Sequence, residues 1–124
     1  GVAFGLRDGL DLMVAAGVAK PESIRASGGG TRSAVWRQIL ADVLESRIDT
    51  VSTEEGAAYG AALLGLVGAG RFSSASAAAD ACVRVEPAAS PSDDSGAYRE
   101  WHTRYRELYP ALRPTFGAIA DSLS

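Results

Sequence analysis

The sequence predicts an α/β domain, and three observations lead to that prediction. Helix-like and strand-like segments alternate along the 124 residues, in the order helix, strand, helix, strand, helix. Three consecutive glycines, Gly28–Gly30, lie where a short strand-like segment meets an amphipathic one. Hydrophobic residues make up 47% and charged residues 22% of the chain, which is the composition of an ordinary globular protein.

The first element is a helix predicted for Gly1 to Ala16. Its apolar residues recur at helical spacing, at Val2, Leu6, Leu10 and Met13. Gly17 is expected to close the helix, because glycine readily adopts the left-handed conformation found at helix ends. No Ser, Thr, Asp or Asn precedes Val2 to cap the helix, so we expect the chain to be a fragment and this helix to begin upstream.

Two strands and a second helix are predicted next. The strands are short, at Ile24 to Ser27 and at Ile48 to Val51, and the helix between them runs from about Arg32 to Glu45. The apolar face of this helix is expected to carry Trp36, Ile39, Leu40, Val43 and Leu44. Arg37, Asp42 and Glu45 are expected to lie mostly outside that face.

Two helices rich in small residues follow. Ser52 and Glu55 form the S-x-x-E pattern of a capping box, which predicts the start of a third helix. That helix carries Ala and Gly on several faces, so it can approach a neighbour closely, and we expect it to be buried. A short Ala-rich helix is predicted from Ser73 to Cys82.

The rest of the chain is predicted to be a loop and a long helix. Val83 to Ser95 is expected to be a loop because it is rich in Pro, Ser and Asp. The helix is expected to begin near Gly96 and to gather its large side chains on one face, at Tyr98, Trp101, Tyr105, Leu108 and Leu112. Pro110 and Pro114 are expected to kink or divide it, because proline removes a backbone donor.

Charge and composition narrow the classes of partner. The formal net charge is −3 with no basic stripe, which argues against nucleic-acid binding. No apolar run approaches the roughly 20 residues that span a bilayer, so no membrane partner is expected. Cys82 is the single cysteine and no Cys/His cluster suggests a metal site, which favours a small buried residue in a reducing, cytoplasmic compartment.

The clearest chemical signal lies between Ile24 and Leu44, in IRASGGGTRSAVWRQILADVL. Glycines let the backbone approach a flat ligand or a phosphate without Cβ clashes. The helix start offers unpaired N–H groups, and Thr31 or Ser33 can cap it. Arg32 and Arg37 flank the turn, either near phosphates or in solvent. These features predict a turn that faces a nucleotide. The alternative is a tight strand-to-helix turn that binds no ligand and contains glycines only because side chains would clash there.

One nucleotide interpretation is an NAD-type Rossmann module. Gly28, Gly30 and Ser33 match G-x-G-x-x-G with serine in the last place. Asp49 follows at about 20 residues, where a Rossmann fold places an acid on the ribose. Serine in place of the third glycine, and an acid inside its strand instead of at the strand's end, argue against this interpretation.

The other interpretation is a family resemblance. The run SGGGTRSAVWRQILADVL resembles the adenosine motif of the FGGY family of carbohydrate kinases, and of its xylulokinase branch in particular. Three more segments resemble the same family in the same order: GVAFGLRDGLDLM, TEEGAAYGAALLGLVGAGRF and RELYPALRP. The resemblance implies that residues 1–124 are the adenosine-binding portion of the C-terminal domain, part of an actin-like (ribonuclease H-like) ATPase fold, without the N-terminal sugar-binding domain.

The resemblance also implies a function and a set of site residues. The complete enzyme would use ATP and Mg²⁺ to phosphorylate a ketopentose, D-xylulose to D-xylulose 5-phosphate. Gly29 would contact the nucleotide and Ser33 its adenine side, while Gly28 and Gly30 would line the pocket through backbone atoms. The family's catalytic aspartate and phosphate-binding turns lie upstream, so we expect no catalytic residue or metal ligand in this chain and no activity from it in isolation.

Partners implied by the resemblance are ATP or ADP and a sugar bound by the missing domain. Apolar surface left exposed without that domain favours a homodimer. A non-catalytic actin-like scaffold domain is the remaining alternative.

Other polar residues are interpreted as structural. Asp8 and Asp11 share a helix face, and Arg7 is spaced to pair with Asp11. His102 has no serine or cysteine partner that the sequence places near it, so we expect it on the surface or between packed helices.

Overall fold

The computed structural model describes residues 1–51 and 56–122, and within them helices and strands alternate as the α/β prediction requires. The elements are α1 (Val2–Ala15), β1 (Ser23–Ala26), α2 (Ala34–Leu44), β2 (Arg47–Val51), α3 (Gly56–Gly68), α4 (Ala75–Cys82), β3 (Val85–Ala89) and α5 (Ser95–Ser122). A single 3₁₀ turn, Gly29–Arg32, precedes α2.

The strands form a sheet of order β1-β2-β3 among the described residues. β1 and β2 are parallel, with Ala26 opposite Thr50, and α2 is the crossover between them. β2 and β3 are antiparallel, with Thr50 opposite Glu86 and Val51 opposite Val85. The carboxyl ends of β1 and β2 therefore meet the beginning of β3 at one edge of the sheet.

β3 corrects the prediction of a loop from Val83 to Ser95, which was wrong over Val85–Ala89. The strand contains Pro87, opposite Asp49, and a register irregularity falls between Ile48 and Asp49. Proline occurs in sheets at edges and bulges because it donates no hydrogen bond. Because β3 contains a proline, its composition resembles that of a loop, and the sequence therefore predicted a loop there.

The core lies between α1, α2 and the sheet. Its buried members are Ala3, Leu10, Leu40, Ala41, Val43, Leu44 and Ile48. Ile48, the second residue of β2, is fully buried. The predicted apolar face of α2 is confirmed at Leu40, Val43 and Leu44, while Trp36 and Ile39 are partly buried against the same cluster.

Asp42 corrects the prediction that it lies outside that face, because it is 3% exposed. Its Oδ1 accepts hydrogen bonds from the Ser92 N–H at 2.5 Å and the Ser95 hydroxyl at 3.3 Å, and Gln38 Nε2 donates to it at 3.2 Å. Burial alone would raise the pKa of Asp42, but the hydrogen bonds from Ser92, Gln38 and Ser95 hold it below its ordinary value. The carboxylate thereby fixes the start of α5 against α2.

α1 is the predicted helix, but its buried face is different. Leu10 is buried as expected, whereas Val2, Leu6 and Met13 are exposed. The helix is rotated so that Arg7 donates to the Val43 carbonyl at 2.7 Å. The face toward α2 is therefore set by this contact as well as by the apolar spacing.

Gly17 closes α1 as predicted. It has φ of +98°, and the Val18 N–H bonds to the Met13 carbonyl at 3.1 Å. This positive φ and the bond back across the last turn are typical of a glycine-terminated helix.

α3 was expected to be buried, and that expectation is wrong for Gly56–Gly68. Leu63 is the buried residue among those described, and Leu64 is 61% exposed. The main neighbour of α3 is α4, and the Tyr59 hydroxyl donates to the Cys82 carbonyl at 2.8 Å. With a short helix as its main neighbour, most of α3 stays uncovered. The capping box of Ser52 and Glu55 lies outside the described residues.

α4 follows the prediction closely. The Ser74 hydroxyl caps it by accepting from the Ala77 N–H at 3.1 Å. Ala78 is fully buried, so this short helix contributes a small apolar contact.

α5 runs as one helix through Pro110 and Pro114 and is not divided. The second half of α5 is exposed, so water can satisfy the carbonyls that each proline leaves without a donor. Among residues 1–51 and 56–122, no helix combines the length and the apolar character needed to cross a membrane.

The buried face of α5 centres on His102, which is 9% exposed. Its Nε2 lies 2.9 Å from Asp8 Oδ1, and its ring centroid lies 5.5 Å from that of Phe4. His102 thus packs between helices, as one of the two predictions for it stated. Trp101, predicted on the apolar face, is 60% exposed and lies beside the Arg104 guanidinium, because the contact to α1 follows Tyr98, His102 and Tyr105 instead.

Candidate functional site

A cavity of about 410 Å³ opens at the sheet edge where β1 and β2 end and β3 begins. Its walls are residues 27–29, 31–32, 50–51 and 86–88, together with Arg37 of α2. In open α/β sheets, ligands bind outside the carboxyl ends of the strands. We refer to this cavity as the edge cleft.

One wall of the edge cleft is the glycine turn, residues 28–33. Gly28 has φ of +96°, a conformation that L side chains rarely adopt, so glycine is required there by the backbone. The Thr31 N–H and hydroxyl both donate to the Gly28 carbonyl, at 3.0 and 2.7 Å. These bonds close the turn on itself.

Gly29 differs from Gly28 because the fold does not demand it. Its φ lies outside the positive range, and a Cβ built there would meet no atom within 4 Å. Gly29 also lines the edge cleft. A missing side chain that faces open space in a cleft leaves room for a ligand to approach the backbone.

The first turns of α2 support the glycine turn from behind. The Ser33 hydroxyl caps α2 by accepting from the Trp36 N–H at 3.2 Å. A Cβ at Gly30 would lie 3.4 Å from the Trp36 ring. Arg37 NH1 donates to the Thr31 carbonyl at 2.5 Å. Of the two predicted caps, Ser33 is the one used.

The structure therefore divides the four predicted site residues into two pairs. Gly28 and Gly29 line the edge cleft, whereas Gly30 and Ser33 lie outside its lining, against Trp36 and at the start of α2. All four belong to one continuous turn. Among the described residues, the pair that faces open volume is Gly28 and Gly29.

Sequence reasoning missed the opposite wall of the edge cleft. Thr50 and Val51 end β2, and Glu86 lies opposite Thr50 on β3. These positions are distant from the glycine turn in sequence, and β3 was predicted to be a loop. The alternation Val83, Arg84, Val85, Glu86 was the signal that could have indicated a strand.

The two walls carry opposite charges. Arg32 and Arg37 lie on the side of the glycine turn, and Glu86 lies on β3. Arg37 Nε is a buried donor without a hydrogen-bond partner in the described part of the chain. The edge cleft therefore presents donors, acceptors and bare backbone within one small volume.

Asp49, the acid of the Rossmann interpretation, does not line the edge cleft. It is 4% exposed, and its Oδ1 accepts from Arg47 Nε at 2.7 Å. The hydrogen bond from Arg47 holds the pKa of Asp49 below its ordinary value. Asp49 is thus already paired inside β2, away from the site where a ribose would have to lie.

The remaining polar candidates are engaged in packing. Arg7 Nε donates to Asp11 Oδ1 at 2.9 Å, as predicted, and Asp8 pairs with His102. Residues 1–51 and 56–122 contain no group of three or more His, Cys, Asp and Glu side chains placed to hold a metal ion.

Comparison with known sequences matches this chain to carbohydrate kinases. The model of the FGGY family of carbohydrate kinases, C-terminal domain, matches residues 1–69. Xylulose kinase of Escherichia coli K12 is 33% identical over 115 residues, which is 92% of this chain and 24% of that protein. Xylulose kinase of Staphylococcus epidermidis is 30% identical over 110 residues, or 88% and 22%. Gluconokinase of Bacillus licheniformis is 32% identical over 98 residues, or 79% and 19%. The chain spans at most about a quarter of these relatives.

Comparison with solved structures shows the same fold. A ligand-bound xylulose kinase from Lactobacillus acidophilus matches with a TM-score of 0.85 at 22% identity, and a gluconate kinase from the same species with 0.83 at 23%. Both matches cover 96% of this chain and 24% of the other. Xylulose kinase from Rhodospirillum rubrum matches with 0.77 at 32% identity, over 94% and 24%. These likenesses confirm the predicted actin-like fold and argue against a Rossmann module.

Proposed function

Because the chain belongs to the FGGY family of carbohydrate kinases, as part of its C-terminal domain, we propose that it is the nucleotide-binding portion of an ATP-dependent sugar kinase. Residues 1–124 would supply the adenosine side of the site, and a sugar-binding domain outside this chain would complete the enzyme. The support for a larger protein is that the chain spans at most about a quarter of its relatives.

The observation that carries the proposal is the open space beside Gly29. Glycine is not needed at this position for the backbone conformation or for internal packing, yet it faces the edge cleft. A flat base or a ribose lying against bare backbone would explain its presence. The cleft volume of about 410 Å³ falls in the range of small-molecule sites.

The four predicted residues take complementary roles in this proposal. Gly28 and Gly29 contact the nucleotide through backbone atoms, and Gly30 keeps the turn close to Trp36. The Ser33 oxygen accepts from the Trp36 N–H, which leaves its own O–H available as a donor to an adenine nitrogen. No residue of this chain is assigned to the transfer of the γ-phosphoryl group.

The sugar we propose is D-xylulose, phosphorylated to D-xylulose 5-phosphate. Xylulose kinases among the sequence and structure relatives support this choice, and gluconokinases are the alternative that the same comparisons support. ATP and Mg²⁺ are the proposed cofactors, with Mg²⁺ offsetting phosphate charge. We further propose a cytoplasmic enzyme that forms a homodimer.

The test uses the complete protein that contains this chain. Formation of ADP is measured with MgATP and, separately, D-xylulose, D-ribulose, gluconate and glycerol. The expected result is the highest kcat/KM with D-xylulose. Preference for gluconate would overturn the sugar assignment and keep the nucleotide site. No binding of ATP by the complete protein would overturn the kinase proposal in favour of an actin-like scaffold.

A further inference from the structure

Arg37 makes an unusual contact for a side chain on the first turns of a helix. It reaches back six residues, and its NH1 donates to the Thr31 carbonyl at 2.5 Å. The same side chain lines the edge cleft. Arg37 therefore connects the rigid helix α2 to the glycine turn at the point where ligand would lie.

Thr31 is the residue that closes the glycine turn, because its N–H and hydroxyl both donate to the Gly28 carbonyl. Gly28 and Gly29 have no side chains, and a Cβ at either position would touch nothing within 4 Å. The 3₁₀ turn over Gly29–Arg32 relies on bonds with poorer geometry than those of an α-helix. Glycine also loses the most conformational freedom when it is ordered. The bond from Arg37 to the Thr31 carbonyl therefore adds a restraint from α2 to the residue that closes the turn.

The hydrogen bonding of Arg37 differs between its nitrogens, since NH1 donates to the Thr31 carbonyl. Its Nε is buried and has no partner among the described residues, which is an unfavourable state for a donor. A side chain placed to satisfy its own donors would avoid that state. Here the bond to Thr31 is kept although Nε remains unpaired.

We propose that Arg37 is a positioning residue for nucleotide binding, an inference that rests on the proposed function. Its bond to the Thr31 carbonyl holds Gly28 and Gly29 in the conformation that accepts the nucleotide. Loss of that bond weakens binding of ATP and leaves binding of the sugar unchanged, because the sugar contacts lie in another domain.

The experiment measures kcat, the KM for ATP and the KM for the sugar in the complete kinase. Three variants are compared. Arg37→Met removes every donor, and Arg37→Gln has an amide that is two bonds too short to reach Thr31. Arg37→Lys keeps a donor at the end of a long side chain, its ammonium group. Arg104→Met is the matched control, since Arg104 is an exposed arginine of α5 paired with Glu100. The Tm of each variant is measured in parallel.

The expected result is a rise of about tenfold in the KM for ATP for Arg37→Met and Arg37→Gln, the size of effect that follows loss of a hydrogen bond from a charged donor. The KM for the sugar stays within about twofold, the lysine variant recovers part of the loss because it retains a donor, and the control matches the wild type. If Arg37→Met does not fold, Arg37→Gln supplies the same comparison.

Two results overturn the inference. One is an unchanged KM for ATP in a folded Arg37→Met or Arg37→Gln variant. The other is an equal rise in both KM values with a lowered Tm, which would show general destabilisation. Failure of the proposed function is separate, because it appears as absence of ATP-dependent phosphorylation in the wild type before any variant is compared.

Discussion

The two ends of α2 are built in opposite ways. At its beginning, bare glycine backbone faces an open cleft, and a serine cap and Arg37 supply the contacts. At its end, Glu45 adopts a left-handed conformation with φ of +51° and lies within 4 Å of three cations, Arg7, Lys20 and Arg99. The beginning of α2 borders an open cavity, whereas the end of α2 is surrounded by ion pairs.

On the proposed function, this difference separates the end of α2 that binds a ligand from the end that stabilises the fold. Ion pairs around Glu45 join α1, the α1–β1 connection and α5 to the end of α2, so this end holds helices together. The glycine turn lines the edge cleft, and it is the end of α2 that can accommodate a ligand. Substitutions at the two ends should therefore separate nucleotide binding from folding.

The largest effect is expected from Gly29→Val, which fills the space beside the backbone in the edge cleft. On the proposed function, we expect the KM for ATP of the complete protein to rise by about a hundredfold, since a branched side chain excludes the ligand from the backbone. The Tm should change little, because a Cβ at Gly29 meets no atom of the protein. Gly9→Val, at another glycine with open space, is the matched control. Unchanged ATP binding would contradict a nucleotide site here.

The second-largest effect is expected from Glu45→Ala, which should lower stability without changing ATP binding. Glu45→Ala removes the carboxylate that accepts from Lys20 at 3.1 Å and Arg99 at 2.9 Å and leaves those cations unpaired. We expect the free energy of unfolding to fall by about 1 to 1.5 kcal/mol, measured by urea denaturation, because the Lys20 and Arg99 side chains are 45% and 67% exposed and solvent screens their pairing. Glu45→Gly should lose about 1 kcal/mol less, because glycine tolerates the positive φ. Equal losses would show that backbone strain at this position is negligible.

Ser33→Ala tests the cap at the beginning of α2. Loss of its bond to the Trp36 N–H should lower the free energy of unfolding by about 1 kcal/mol. Ser33→Thr, which retains the hydroxyl, should remain near the wild type in urea denaturation. On the proposed function, Ser33→Ala also raises the KM for ATP, because the hydroxyl donates to an adenine nitrogen; an unchanged KM would limit Ser33 to its role as helix cap.

The smallest effect is the loss of folding stability that we expect when the pH is lowered. Burial would raise the pKa of Glu45, but its bonds to Arg99 and Lys20 hold the pKa below its ordinary value of 4.5. A lowered folded-state pKa contributes stability that is complete above the unfolded value and is lost as pH falls through the folded one. Urea midpoints should therefore decline below about pH 4.5, and Glu45→Gln should decline less. An identical decline in both proteins would remove Glu45 as a cause.

The sequence predicted what depends on neighbouring residues along the chain. Local patterns of apolar spacing or turn residues predicted four features: the helix α2, the end of α1 at Gly17, the helix α4 and the glycine turn. The family resemblance added the fold, since a motif such as SGGGTRSAVWRQ is read without knowing any contact. One wall of the edge cleft was accessible in this way.

What was missed depends on contacts between distant segments. β3 is a strand because it pairs with β2, and nothing local to Pro87 requires that. The buried faces of α1 and α5 were predicted from apolar spacing, but Asp8 and His102 meet across the two helices and help to set those faces instead. Glu86 reaches the edge cleft through the same pairing, and the short alternation Val83–Glu86 was the local signal for it.

The edge cleft draws its walls from segments that are far apart in the chain, residues 27–29 and 31–32, 50–51 and 86–88. On the proposed function, a bound nucleotide would contact the folded arrangement of these segments and lose its site when they separate. By thermodynamic linkage, ATP at a hundred times its Kd would add about 2.7 kcal/mol to the free energy of unfolding. The open end of α2 would then be stabilised further whenever the cell holds abundant ATP.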